Sequence, residues 1–229
     1  MKSLNRRVSI LGAVAVLLLC QCAAHAQGAA GSKLEEIEWT WEVRPAHVDA
    51  KLPNVLLLGD SITRNYFPEV TRELAGVANV YLMSSSTSVG DPRLVGQIDE
   101  FARSQGVRFA VIHFNNGMHG WAYSEAEYRD GFAGFVAAVR GIAPGAALIW
   151  ATSTPVKKET EPGPTNARVE ARNAIAKAVV EQAGIPIDDQ YGLMLKHADL
   201  YQDSVHFNEQ GSAIEGKQAT ALIRERLKK

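Results

Sequence analysis

The chain has 229 residues and a formal net charge of −1, with 24 Lys and Arg against 25 Asp and Glu, and 46 % of it is apolar. That supplies one sizeable core, and so even a charge balance excludes a protein that works by neutralising nucleic-acid phosphates. Only two cysteines, Cys20 and Cys22, are present, so a disulfide framework is excluded as well.

Residues 1–26 open with Lys2, Arg6 and Arg7, continue as an apolar run over residues 8–19 and end in Ala24-His25-Ala26. This is the layout of a secretory signal peptide with a small-x-small cleavage site, and it is too short for a membrane span. A lipoprotein signal is the rival reading, because two cysteines lie near the end of the run. Leu19 and Gln21, directly before them, are not the small residues that such processing prefers. Cleavage after Ala26 removes both cysteines and takes the formal charge from −1 to −4. The expectation is export to a bacterial-type periplasm or beyond, with no membrane span after signal removal.

Residues 27–53 read as a leader followed by an extended segment. The first part is rich in Gly, Ala and Ser. Ile37, Trp39, Trp41 and Val43 then alternate with polar residues, the mark of a half-buried extended stretch. Same-face alternation favours packing of the two tryptophans against the domain over a sugar-stacking role.

Residues 54–229 form the main domain. Val55, Leu56, Leu57 and Leu58 make a strand buried on both faces, and it stops at Gly59-Asp60-Ser61-Ile62-Thr63. Phe67, Val70 and Leu74 follow at helical spacing, so Ser61 sits where a strand's carboxyl end meets a helix's amino end. Ligands bind at such junctions in open α/β sheets. A serine there presents its hydroxyl beside its own unpaired backbone N–H. Near the other end of the chain stands Asp203-Ser204-Val205-His206. A serine needs a base, and a histidine base needs a carboxylate to fix its tautomer. One loop offers both.

With these two blocks the chain resembles the SGNH or GDSL hydrolases, over about residues 54–211. The resemblance implies a flavodoxin-like strand order and a Ser61, His206, Asp203 triad that hydrolyses esters. It implies an oxyanion hole of the Ser61 N–H, a glycine N–H from the next loop and an asparagine amide. Gly90 is the only glycine in the loop Ser84-Ser85-Ser86-Thr87-Ser88-Val89-Gly90 and takes that role, with Ser86 as runner-up. The family's usual Gly-x-Asn-Asp block is missing. Phe114-Asn115-Asn116-Gly117-Met118-His119 resembles a Phe-Asn-x-Gly-x-His variant, which gives the amide to Asn115 with Asn116 as the alternative. Asp60 and His119 are expected to face the substrate.

The remaining elements alternate regularly. Residues 79–83, 109–114, 147–152 and 185–188 read as strands. Leu94, Ile98 and Phe101 mark one helix; Tyr128, Phe132, Phe135, Val136 and Val139 mark another. Ala171, Ile175 and Val179 mark a third, and Asn208 can cap the last. His113 lies inside an apolar strand and reads as a hydrogen-bonded core histidine. Residues 153–164 form a charged, proline-rich loop at the site's edge of the sheet, a candidate wall or lid. The fold class is therefore α/β, a three-layer sandwich around a mostly parallel sheet of about five strands. No His, Cys or carboxylate spacing matches a metal site, and the chemistry needs no cofactor. The expected partner is a small-molecule or oligosaccharide ester, with oligomeric state left open. An O-acetylated carbohydrate leads, ahead of a lipid or thioester substrate and of a non-catalytic carbohydrate-binding protein on the same scaffold.

Overall fold

In the computed structural model, residues 31–228 are described. The expected signal segment and its cleavage site lie outside the described residues. The chain order is β1 (Thr40–Val43), β2 (Asn54–Gly59), α1 (Ser61–Glu73), β3 (Asn79–Ser85), α2 (Arg93–Gln105), β4 (Phe109–Phe114) and α3 (Glu125–Ile142). Then come β5 (Ala147–Ala151), α4 (Asn166–Gln182), β6 (Ile187–Asp188), α5 (Gln190–Met194), a 3-10 turn (Leu195–Leu200) and α6 (Glu209–Leu227).

The sheet order is β1-β3-β2-β4-β5-β6. Strands β2 to β6 pair in parallel, each joined to the next by a helical crossover, in the flavodoxin-like order. The sheet has six strands where about five were expected, because residues 40–43 pair antiparallel with β3 at its edge. That stretch, read as extended from its alternation, is a strand of the sheet.

Alternation along the strands assigns the two faces. Val55, Leu57, Val111 and Ile149 turn towards α1 and α6, together with Val70, Ala219 and Ile223. Leu56, Leu58, Ile112, Phe114 and Trp150 turn the other way, onto Leu94, Ile98, Phe132, Phe135, Val139 and Ala176 from α2, α3 and α4. The α3 stripe is core as the spacing requires. Helix α4 is rotated by one position from its expected face: the buried residues are Val169, Arg172, Ala176 and Val180. Ile175 and Val179 are partly buried beside them.

On the first face α1 and α6 approach closely at Gly216. A Cβ there would lie 2.7 Å from the Cβ of Glu69 and 3.1 Å from the carbonyl oxygen of Tyr66. Only glycine lets the two helices meet at this distance without a shift.

Trp39 is half-buried and Val43 joins the core, but Ile37 is 73 % and Trp41 53 % exposed, so the packing expectation fails for those two. The reason is local. Strand β1 is at the edge, and both indoles meet the Arg64 guanidinium of α1, 5.0 Å from the Trp39 ring and 5.4 Å from the Trp41 ring.

Candidate active site

Helix α1 begins at Ser61, with Asp60 as its cap: Asp60 Oδ1 accepts the Ile62 N–H at 3.0 Å. The serine is therefore fixed on the first helical residue, at the carboxyl edge of the central strand. The sequence reading puts Asp60 against substrate; the structure places the residue, 1 % exposed, as the helix cap, with its second carboxylate oxygen without a protein partner.

The histidine arrives on the loop before α6. Ser61 Oγ lies 2.7 Å from His206 Nε2, and His206 Nδ1 lies 2.8 Å from Asp203 Oδ2. The other carboxylate oxygen, Oδ1, accepts the backbone N–H groups of Val205 and His206, each at 2.8 Å. Burial alone would raise the Asp203 carboxyl, but these two amides and His206 outweigh it and hold it below its ordinary value. An ionised Asp203 accepts a hydrogen bond from His206 Nδ1–H, which leaves Nε2 free to accept the serine's proton. The residue 153–164 loop braces this turn: Lys157 N–H donates to Ser204 O at 2.9 Å and Tyr201 Oη–H to Pro155 O at 2.8 Å.

The candidate oxyanion donors differ in what they have left to give. Gly90 N–H donates to Ser88 Oγ at 3.2 Å, and Gly90 packs against the Tyr123 ring, on a groove formed with α2 and α3 residues such as Val95 and Asp130. The N–H of the runner-up, Ser86, is bonded to Trp39 O at 3.0 Å. Thr87, Val89 and Asp91 also spend theirs. Among the described residues, the Ser88 N–H is the one amide of residues 86–91 left without an acceptor. Asn115 points both amide hydrogens into the sheet, to Ala151 O at 2.7 Å and Ser153 Oγ at 3.3 Å. Asn116 accepts the Val89 N–H at 3.0 Å and gives one hydrogen to Thr87 O at 2.8 Å, which leaves its second free. Asn116 thus keeps a hydrogen to give where Asn115 does not, and it is tied directly to the loop that carries Ser88.

His119 is held by a residue that sequence reasoning missed. Its Nδ1 lies 2.8 Å from Glu35 Oε2, while Glu35 Oε1 accepts the Gly120 N–H at 2.7 Å. Arg172 is the other omission. It is fully buried, and its guanidinium donates to the carbonyls of Gly117, His119, Gly120 and Tyr123 at 2.8–3.2 Å. It also lies 4.1 Å over the Trp121 ring. Burial lowers its pKa to about 10. Four carbonyls of one loop, gathered by one cation, fix the path of residues 117–123. His113 is the core histidine it was expected to be, with Nε2 2.8 Å from Asp188 Oδ2. Among the described residues no cluster of His, Cys and carboxylates could hold a metal ion, and no helix is long and apolar enough to cross a membrane.

Comparisons with known proteins bear on the family and the fold. The model of the family described as GDSL-like Lipase/Acylhydrolase matches residues 57–214. No curated protein matches the sequence. Among solved structures, a GDSL-like lipase from Bacteroides thetaiotaomicron VPI-5482 superposes with a TM-score of 0.62 at 16 % identity, over 79 % of this chain and 92 % of that one. A lipase/acylhydrolase from Enterococcus faecalis gives 0.62 at 18 % identity, over 76 % and 97 %. A carbohydrate esterase family 3 protein from Talaromyces cellulolyticus gives 0.60 at 18 %, over 77 % and 99 %. At these identities the likeness carries the fold.

Proposed function

Because the chain belongs to the GDSL-like lipase/acylhydrolase family, and is an esterase or acylhydrolase, we propose that it removes short acyl groups, acetyl first, from a carbohydrate. Ser61 Oγ attacks the ester carbonyl while His206 Nε2 takes the hydroxyl proton, and Asp203 steadies the resulting imidazolium. The oxyanion is met by the N–H groups of Ser61 and Ser88 and the spare Asn116 amide hydrogen. His206 then gives its proton to the departing sugar oxygen. Water, deprotonated by the same nitrogen, releases the acid and restores Ser61.

The observation that carries the short-chain reading is the wall beside His206. The loop over residues 153–164, bonded to the Asp203–His206 turn through Lys157 N–H to Ser204 O, is charged and proline-rich, with residues 157–162 exposed, and it offers an acyl tail little apolar surface. The carbohydrate reading is supported by the exposed indole of Trp41 at the rim and by the fold shared with the Talaromyces carbohydrate esterase. An ester series from p-nitrophenyl acetate to octanoate, run beside acetylated xylo-oligosaccharides, tests both. The expected result is a kcat/KM that falls by roughly tenfold or more along the acyl series, with the sugar acetate cleaved; a rate that climbs with chain length overturns it. Export rests on the sequence signal alone. N-terminal sequencing of the exported protein should start at Gln27, and a lipid-modified start at Cys20 or Cys22 refutes that.

A further inference from the structure

The stretch before β1 contributes to the site. Ser32 Oγ–H donates to Asp91 at 2.9 Å, Lys33 N–H to Tyr123 Oη at 2.7 Å and Trp39 N–H to Ser86 Oγ at 2.9 Å, so residues 32–39 are laced onto the loops after β3 and β4. Glu35 lies in the middle of this strap and grips His119 and Gly120 with its two oxygens. The position of His119 relative to the nucleophile follows from two neighbours. Its ring meets the Trp39 edge at 5.6 Å, and the same indole lies under Arg64, three residues after Ser61. The charge of Asp60, the residue before Ser61, also acts on the imidazole. With Nδ1 engaged and 17 % of the side chain exposed, Nε2 is the atom that remains for a ligand.

We propose that Glu35 is a positioning residue for His119, and that His119 Nε2 binds a hydroxyl on the alcohol half of the substrate, next to the scissile ester. This rests on the carbohydrate reading and deepens it: the substrate must be an ester of a polyol or sugar that keeps a free neighbouring hydroxyl. A hydroxyl both donates and accepts, so it pairs with Nε2 whether the ring is neutral or charged. Burial would lower the His119 pKa, but the Glu35 hydrogen bond and the charges of Asp60, Glu35 and Glu38 outweigh it and raise it. Burial would raise Glu35, but the His119 bond and charge, the Gly120 amide and Arg172 outweigh it and lower it. Both shifts favour the charged pair.

The test uses three acetates: a methyl xyloside monoacetate with a free neighbouring hydroxyl, its deoxy analogue lacking that hydroxyl, and p-nitrophenyl acetate. Glu35→Gln, Glu35→Ala and His119→Ala are each compared with the wild type, with circular dichroism reporting the fold; Glu35→Gln keeps an acceptor for Gly120. The sugar ester should lose roughly tenfold or more in kcat/KM beyond any loss on the aryl ester. Wild type should discriminate against the deoxy analogue by a similar factor, the variants should not, and the Glu35→Ala/His119→Ala double variant should be no worse than His119→Ala. Equal losses on all three esters, or a wild type indifferent to the hydroxyl, overturn the inference alone. A wild type that cleaves the aryl acetate and no sugar acetate overturns the carbohydrate reading, and the inference with it.

Discussion

Of the three histidine–carboxylate pairs of identical length among the described residues, the most buried and the most exposed make a comparison. His113 Nε2 and Asp188 Oδ2 are 2.8 Å apart, as are His206 Nδ1 and Asp203 Oδ2. The first pair is sealed, with neither side chain exposed, and its surroundings saturate it. Gln190 and Gln218 donate to Asp188 at 2.9 and 2.6 Å, and Tyr66 Oη lies 3.4 Å from the other ring nitrogen. The second pair is 25 % and 49 % exposed, and its outer nitrogen meets Ser61. A histidine paired with an acid is therefore not a catalyst by itself. The free nitrogen must have a reactive partner and a path to solvent; where it has neither, the same pair joins β4 to β6.

The comparison can be broken most forcefully at the exposed pair. Ser61→Ala and His206→Ala should each cut kcat by roughly 10⁴-fold or more, the double variant no further, and Asp203→Asn should cost about 10⁴. Melting temperatures should stay near that of the wild type, and normal turnover in a folded Ser61→Ala protein would end the mechanism. At the sealed pair the effect moves to stability. His113→Ala or Asp188→Ala should cost about 3–5 kcal/mol of unfolding free energy in urea titrations, because a buried polar partner is stranded. Activity per folded molecule should hold, and a catalytic defect without destabilisation would erase the contrast.

The two asparagines repeat the division on a smaller scale. Asn116→Ala should lower kcat by about a hundredfold, with a smaller change in KM, as befits a donor that acts once charge develops. Asn115→Ala should cost about 1–3 kcal/mol of stability instead, since it leaves the Ala151 carbonyl unpaired. The reverse pattern restores the sequence assignment. The smallest effect concerns Glu35 and His119. A raised histidine stabilises fully below its ordinary 6.5 and loses this as pH rises through the folded value; a lowered glutamate stabilises above its ordinary 4.5 and loses this as pH falls through its folded value. The melting gap between wild type and Glu35→Gln should thus be widest between pH 4.5 and 6.5, and a gap that is flat with pH refutes the charged pair.

What the sequence disclosed was governed by short-range pattern. Strand β4 begins and ends at the expected residues because both of its faces are buried and its apolar run has sharp ends. Ser61, Asp203 and His206 were legible because two compact motifs carry them. Arg172 was not, since an arginine on a helix reads as solvated surface, and only the fold shows four carbonyls converging on it. Glu35 was hidden by distance, 84 residues from the histidine it orients. Gly90 was chosen for its residue type, whereas the free amide at Ser88 is decided by which neighbours are already bonded. Strand β1 was read as extended, but no local pattern says which edge it will join.

Acid and base lie three residues apart on one turn and carry their alignment with them, while the nucleophile comes from 145 residues away. Their meeting therefore depends on tertiary packing, and part of that packing is the contact between α1, which carries Ser61, and α6, which follows His206. Gly216 has no side chain and no chemistry, yet the absence of a methyl there lets α6 lie against Glu69 and the Tyr66 carbonyl. Reactive geometry thus leans in part on a residue that a search for reactive groups would pass over.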